Sequence, residues 1–231
     1  MIRVRRAEER GVTRTGWLDS RHSFSFAEYF DPEQMGFSSL RVLNDDRIAP
    51  GGGFGMHPHR DMEILTVVLD GAVEHRDSLG SGSVIRPGDV QLMTAGRGIL
   101  HSEFNPSAEE PLHLLQVWLL PERAGLQPEY REKSFGEELE GRLRLIVSPD
   151  GRDNSLVIHQ DASVYQGRLR AGQEASHSLA PGRRAWVHVA RGTAELNGTP
   201  LAAGDAGVVE AETELRLLAV DDAEVLLFDL A

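Results

Sequence analysis

Four residues of metal-ligating type fall into two closely spaced pairs. His57 and His59 are two residues apart in the chain, and so are His101 and Glu103. Because side chains two apart in a β-strand point to the same face, each pair is expected to converge on one side of its strand. Three imidazoles and a carboxylate around one point suit a divalent first-row metal with positions left open for a ligand or dioxygen. Glu63 has the same parity as His57 and His59 within one strand, so it is a second candidate carboxylate.

The other histidines lack such pairing. His177 stands alone in the second half of the chain, and one imidazole cannot hold a metal. His22 is expected by default to be a surface or packing residue, with a pocket-lining position as the alternative because it lies in an alternating stretch of residues 21–26. The rest are expected to be surface or packing residues: His75, His113, His159 and His188.

The elements that must position these residues are predicted to be strands. Strand-length apolar segments are bounded by Asp-Gly, Pro-Gly and Asn-Gly turns, and long amphipathic helices are absent, which predicts an all-β chain with few short helices. The predicted strands cover residues 62–69, 112–120, 143–147, 185–189, 215–220 and 225–228.

Two features of the sequence recur in its second half. Gly71-Ala72-Val73-Glu74 is echoed by residues 192–195, and Gly88-Asp89 by residues 204–205, at offsets of 121 and 116 residues. Self-similarity at this spacing indicates two copies of one small barrel or sandwich. We predict an N-terminal domain over residues 1–133 that binds metal, and a C-terminal domain over residues 134–231 without a metal site. A charged stretch of residues 127–141 is the expected linker.

Composition excludes several classes of protein. The 231 residues carry 36 acidic and 24 basic side chains, a net charge of -12, which argues against direct nucleic-acid or anionic-membrane binding. Without cysteine there is no thiolate nucleophile or ligand. No apolar run approaches the roughly 18 residues that a bilayer requires, and no signal-peptide core follows the first charged residues, so a cytoplasmic location is expected.

The histidine pairs lie in recognisable motifs. His57-x-His59-x3-Glu63 resembles the first cupin motif, and Gly98-x2-His101-x3-Asn105 resembles the second, except that Gly96 stands where cupins usually have proline. More narrowly, His-Pro-His-Arg at residues 57–60 and His-Ser-Glu at residues 101–103 are similar to the pirin family, and residues 17–20 are similar to its bacterial branch of quercetin 2,3-dioxygenases.

This resemblance implies a bicupin fold, two antiparallel double-stranded β-helix (jelly-roll) barrels packed together, of which the second is a degenerate copy. It implies metal binding by His57, His59, His101 and Glu103, with Glu63 as a partner that orients an imidazole or, alternatively, as the carboxylate ligand. The metal implied is Fe(II), although Zn, Mn, Ni, Co or Cu would also suit this ligand set.

The implied activity is cleavage of a flavonol such as quercetin by dioxygen with release of carbon monoxide. Glu103, or otherwise Glu63, is the candidate general base. The substrates would be a flavonol-like aromatic and O2. The wider pirin family leaves a second hypothesis open, a metal-containing regulatory or binding protein that acts through a protein partner without turnover. A third is a cupin that acts on sugars or other small polar metabolites, which would need a polar pocket.

Overall fold

The chain folds almost entirely into β-strands. A computed structural model describes residues 2–231, and it confirms the expected all-β fold. The short helices are single 3-10 turns at Ala7–Glu9, Gly136–Leu139 and Arg152–Asn154. Among the described residues, no helix has the length and apolar character needed to cross a bilayer.

The chain divides into two compact units. The N-terminal unit comprises Gly11–Gly136 with Ile158–Gln160, and the C-terminal unit comprises Glu137–Val157 and Asp161–Ala231 together with the first strand, β1 (Ile2–Arg5). The boundary between the units in the sequence, after Gly136, therefore lies three residues beyond the expected one after residue 133. Residues 2–5 belong to the C-terminal unit, although residues 1–133 were expected to form one domain, because β1 pairs with residues 206–209.

The N-terminal unit is built from a seven-stranded and a four-stranded antiparallel sheet. The larger sheet has the order β12-β9-β6-β11-β4-β3-β2 and the smaller one the order β5-β10-β7-β8. Apolar side chains of both sheets, such as Leu114 and Val73, share one core cluster. The strands are β2 (Gly11–Arg14), β3 (Leu18–His22), β4 (Leu40–Ile48), β5 (Gly53–His59), β6 (Glu63–Asp70), β7 (Val73–Asp77), β8 (Gly82–Ile85), β9 (Asp89–Thr94), β10 (Ile99–Phe104), β11 (Leu112–Leu119) and β12 (Glu129–Ser134).

The C-terminal unit repeats this plan. Its sheets have the orders β1-β20-β17-β22-β15-β13-β14 and β16-β21-β18-β19. A leucine- and valine-rich cluster fills the space between them. The strands are β13 (Arg144–Ser148), β14 (Leu156–Val157), β15 (Ala162–Leu169), β16 (Glu174–Ser178), β17 (Arg184–Arg191), β18 (Thr193–Leu196), β19 (Thr199–Ala202), β20 (Ala206–Val209), β21 (Glu214–Ala219) and β22 (Ala223–Leu230).

All six predicted strand segments overlap observed strands. The division between the two units, after Gly136, falls inside the stretch 127–141 that was expected to be the linker. Within that stretch, residues 129–134 form β12, which pairs with β9 at one end of the larger sheet. Only one side of an edge strand is hydrogen-bonded to the sheet, so it tolerates charged side chains. That position explains why a strand here lacks the apolar pattern.

Candidate metal centre

Three imidazoles meet where β5 and β10 pair. His57 lies directly opposite His101 in the antiparallel ladder, and His59 follows on the same face of β5. The ring centroids of His57 and His101 are 4.4 Å apart, and His59 lies 4.8 Å from each of them. One nitrogen from each ring lies within 4.8 Å of the others. This spacing lets three nitrogens converge on one cation.

The imidazoles are in the form that a metal requires. Burial lowers the pKa of His101 to about 3, and the neighbouring His57 and His75 lower it further. Burial also lowers the pKa of His59 to about 4, and the neighbouring His101 and His57 lower it further. His59 and His101 can therefore each present a neutral ring with a lone pair at neutral pH.

Hydrogen bonding supports a ligand role for His101 and His57. The His101 side chain is 0% exposed, yet neither of its ring nitrogens has a hydrogen-bond partner among the described residues. Such an unpaired buried group is destabilising unless something binds it. His57 Nδ1 lies 2.8 Å from the Gly55 carbonyl oxygen, which leaves Nε2 free to face a cation. The residues present therefore fit a metal.

Glu103 lies beside His101 on the same face of β10. Its Oε2 accepts a hydrogen bond of 2.8 Å from the Gln116 amide, and the Thr66 hydroxyl lies 3.3 Å from Oε1. The carboxylate is buried and is oriented by these two contacts. One of its oxygens lies within 4.8 Å of ligating nitrogens of His101 and His75.

Among the described residues, Glu63 makes no hydrogen bond to an imidazole. Its carboxylate accepts a 3.0 Å hydrogen bond from the Thr94 hydroxyl, and its pKa rises to about 7 because it is buried. The expectation that it orients an imidazole is therefore corrected. The reason lies at Asp61, where the backbone turns with φ of 49° between β5 and β6 and ends the strand parity. Within β6, Glu63 faces away from Thr66, whose hydroxyl points to Glu103.

Glycine rather than proline at position 96 also has a structural reason. Gly96 has a φ of 46°, which the proline ring cannot adopt. A Cβ there would also overlap the carbonyl oxygen of Leu126. The departure from the usual cupin motif is therefore a feature of this backbone.

Sequence reasoning missed His75 as a neighbour of the site. His75 was expected to be a packing residue, but it lies opposite Glu103 in the β7–β10 ladder and is completely buried. Its Nε2 lies 3.1 Å from the Asp77 carboxylate, and its ring centroid is 5.3 Å from that of His101. The signal was the spacing of His75 and Asp77, which puts both on one face of a strand.

A cavity of about 290 Å³ adjoins the imidazoles. His57, His59 and Glu103 line one side of it. Phe26 and Trp118 also line it, with their rings 5.4 Å apart and edge to face, and the ring of Trp118 is 4.8 Å from that of His59. The lining also includes Phe54 and His22, so His22 lies at the pocket that was its alternative placement and is not only a surface or packing residue. The cavity can take a flat aromatic ligand with one edge at the imidazoles.

Comparisons with known proteins agree with this geometry. The Pirin family model matches residues 3–119, and the model described as the quercetinase C-terminal cupin domain matches residues 145–230. The chain is 49% identical over 230 residues to quercetin 2,3-dioxygenase of Escherichia coli K12, which covers 100% of this chain and 99% of the relative.

The chain is also similar in structure to solved proteins of these kinds. The chain is similar to the bacterial pirin YhhW of Escherichia coli in complex with nickel(II), with a TM-score of 0.94, 49% identity and coverage of 100% of this chain and 99% of that one. It also shares its fold with quercetin 2,3-dioxygenase of Acinetobacter baumannii, with a TM-score of 0.73, 24% identity and coverage of 95% and 84%.

Proposed function

This chain belongs to the pirin family, and on that basis we propose that it is a metal-dependent dioxygenase that cleaves a flavonol with O2 and releases carbon monoxide. The observation that carries the proposal is the His57–His59–His101 cluster at the edge of an aromatic-lined cavity. Relatives named quercetin 2,3-dioxygenase supply the substrate class. The aromatic lining favours a flavonol over a sugar.

The proposed metal ligands are His57, His59, His101 and Glu103. The unpaired nitrogens of buried His101 support the assignment, and so does the nickel(II) bound by a relative that is 49% identical. Fe(II) stays the predicted physiological metal, and a cytoplasmic location also stays a prediction. Three imidazoles and one carboxylate would accept other divalent ions as well.

The chain's own residues would orient the substrate and move its proton. A divalent cation, when bound, would supply positive charge and open positions for the 3-hydroxyl oxygen of a flavonol and for O2. Glu103, which Gln116 and Thr66 hold in place, is the proposed base that accepts the 3-hydroxyl proton. Phe26 and Trp118 would fix the plane of the rings.

The reaction balances without another reactant. The central ring of the flavonol opens, one ring carbon leaves as carbon monoxide, and both oxygen atoms of O2 remain in the depside. Flavonol plus O2 thus equals depside plus carbon monoxide. The buried position of Glu103 and His101 limits the access of water to the reacting atoms.

The test is turnover of quercetin by metal-loaded protein. Metal-free protein is reconstituted under anaerobic conditions with Fe(II), Mn(II), Co(II), Ni(II), Cu(II) or Zn(II) in separate samples, and quercetin is then added with and without O2. We expect loss of the quercetin absorbance only with O2, together with one carbon monoxide per quercetin. His101→Ala, prepared in parallel, is expected to lose both metal and turnover.

Two results would overturn the proposal. Metal-loaded protein that leaves quercetin unchanged in air with every metal would favour the alternative of a regulatory or binding protein. Turnover that survives in His101→Ala would contradict the ligand assignment. Carbon monoxide is the decisive measurement, because oxidation of quercetin in air without ring cleavage would also lower its absorbance.

A further inference from the structure

The cavity beside the imidazoles has a polar wall that the proposed chemistry does not use. Four cavity-lining side chains on β3 and β4 form it: Ser20, His22, Asn44 and Asp46. In the β3–β4 ladder Ser20 lies opposite Asp46, and His22 lies opposite Asn44. All four are buried, so each needs a hydrogen-bond partner inside the protein or from a ligand.

The internal hydrogen bonds of this wall fix which atoms are engaged. His22 Nδ1 lies 2.8 Å from Asn44 Oδ1, and His22 Nε2 lies 2.8 Å from the Thr13 hydroxyl. Since the amide oxygen can only accept, Nδ1 carries the proton and Nε2 accepts from Thr13. On the neighbouring pair, the Ser20 hydroxyl donates to Asp46 Oδ1. His22 and Ser20 therefore act as supports that hold the amide and the carboxylate in place.

One donor and one acceptor remain available. Among residues 2–231, none makes a hydrogen bond with Asp46 Oδ2 or with the amide nitrogen Nδ2 of Asn44. Both side chains are only 3% exposed and both line the cavity. A hydroxyl group is the ligand that matches this pair, because it can donate to a carboxylate oxygen and accept from an amide at the same time.

The electrostatics of Asp46 agree with such a role. Burial raises its pKa to about 7, the Ser20 hydrogen bond opposes that change, and the charges of Asp45 and Glu103 add to it. A carboxyl group that is this poorly solvated gains more from a donated hydrogen bond than an exposed one does. The wall therefore favours a ligand that brings a hydroxyl donor over a purely apolar one.

We propose that Asn44 and Asp46 form a specificity subsite for a phenolic hydroxyl on a ring of the flavonol other than the one that carries the 3-hydroxyl. The inference rests on the proposed function and names its substrate class as flavonols with hydroxyl groups on the outer rings. With the 3-hydroxyl at the imidazoles and Phe26 and Trp118 at the ring faces, a second hydroxyl at this wall would fix the ligand's orientation.

The test compares ligands that differ only in their hydroxyl groups. Quercetin, galangin without the hydroxyls of the pendant ring, and 3-hydroxyflavone without any outer-ring hydroxyl are titrated anaerobically into Ni(II)-loaded protein, and tryptophan fluorescence reports binding. We expect the Kd of quercetin to be about tenfold lower than that of 3-hydroxyflavone, as one charge-assisted hydrogen bond predicts. Galangin shows which outer ring carries the recognised hydroxyl.

Variants assign the preference to the wall. Asp46→Ala should bring the ratio of the two Kd values close to one, and Asp46→Asn should give an intermediate ratio. If Asp46→Ala folds poorly, Asn44→Ala tests the same point, because it should also bring the ratio of the two Kd values closer to one. Asp19→Asn is the matched control, because Asp19 points to the other face of β3 from Ser20 and pairs there with Arg14 at 3.0 Å, and the ratio should stay at its wild-type value.

The outcomes separate this inference from the proposed function. If 3-hydroxyflavone binds and is cleaved as well as quercetin, or if Asp46→Ala and Asn44→Ala keep the wild-type ratio, the subsite is wrong and the dioxygenase stands. If the metal-loaded protein binds and cleaves none of the three flavonols, the proposed function fails and the subsite fails with it.

Discussion

The two units share a strand order but differ in what fills their interiors. Matching their sheets aligns β5 with β16, β10 with β21, β7 with β18 and β11 with β22. The ladder registers then place a leucine of the C-terminal unit at each of four polar positions of the N-terminal unit: Leu215 for His101, Leu217 for Glu103, Leu196 for His75 and Leu227 for Gln116.

A fifth polar position keeps its histidine in the C-terminal unit. His177, the counterpart of His57, lies opposite Leu215, contacts the Asp229 carboxylate at 2.9 Å and packs on Tyr165 with ring centroids 4.5 Å apart. Among the described residues, no group of candidate metal ligands occurs in the C-terminal unit. The scaffold therefore accepts either a polar centre or a leucine core, and the chemistry depends on the side chains placed on it.

The largest expected effect comes from giving the metal centre the leucine of its counterpart. His101→Leu should lower the affinity for Ni(II) by more than about 100-fold. This is a larger loss than the one caused by removing a residue that only hydrogen-bonds to a metal ligand. It should also stabilise the metal-free protein by about 1–3 kcal/mol, because it removes a buried ring without hydrogen bonds. Chelator competition and urea unfolding measure the two effects.

Leu100→Ala serves as the control, since this exposed neighbour should leave the Ni(II) affinity unchanged. Wild-type affinity in His101→Leu would remove His101 from the ligand set. A less stable metal-free variant would show that the imidazole contributes to the core.

The reverse exchange should harm the C-terminal unit. Leu215→His puts a second imidazole opposite His177 but buries it among leucine and valine side chains without a partner. We expect a loss of about 2–3 kcal/mol in the free energy of unfolding and no second metal per chain. Urea unfolding and metal analysis test this, with Leu215→Met as the apolar control. A second equivalent of bound Ni(II) would contradict the view that this unit lacks the other ligands.

The sequence predicts the part of the centre that depends on strand periodicity alone. His57 with His59, and His101 with Glu103, could each be placed on one face because side chains alternate along a strand. Glu63 could not be placed, because the turn at Asp61 ends that alternation.

Residues that reach the site through distant pairing were also out of reach. His75 joins Glu103 only through the β7–β10 ladder, and Asp46 faces the cavity only because β4 pairs with β3 and β11. The strand β12, inside the stretch 127–141 expected to be the linker, was missed for a similar reason, because it is held by its pairing with β9 and shows no apolar pattern of its own.

A smaller effect should follow from removing the group that holds Glu103. Gln116→Leu introduces the side chain of its counterpart Leu227 and deletes the 2.8 Å hydrogen bond to Oε2. We expect the Ni(II) affinity to fall by about 10–100-fold, as for other outer partners of metal ligands. Calorimetric titration measures it. Gln166→Leu, which removes a buried glutamine from the C-terminal unit, should leave the metal affinity unchanged, and an equal loss in both variants would point to a general change in stability.

The smallest effect concerns Glu63, whose counterpart in the C-terminal unit is the exposed Arg184. Burial raises the pKa of Glu63 from 4.5 to about 7, so the folded protein holds this proton more tightly than the unfolded chain does. The contribution of this group to the free energy of unfolding therefore falls as the pH rises from about 4.5 through 7.

Glu63→Gln keeps an acceptor for the Thr94 hydroxyl and removes the ionisation. The variant should gain about 1–2 kcal/mol over wild type at pH 8 and almost nothing at pH 5, measured by urea unfolding of metal-free protein. Glu109→Gln, at an exposed carboxylate, should show no such dependence on pH. A gain of equal size at both pH values would mean that packing, and not the buried charge, sets the stability at this position.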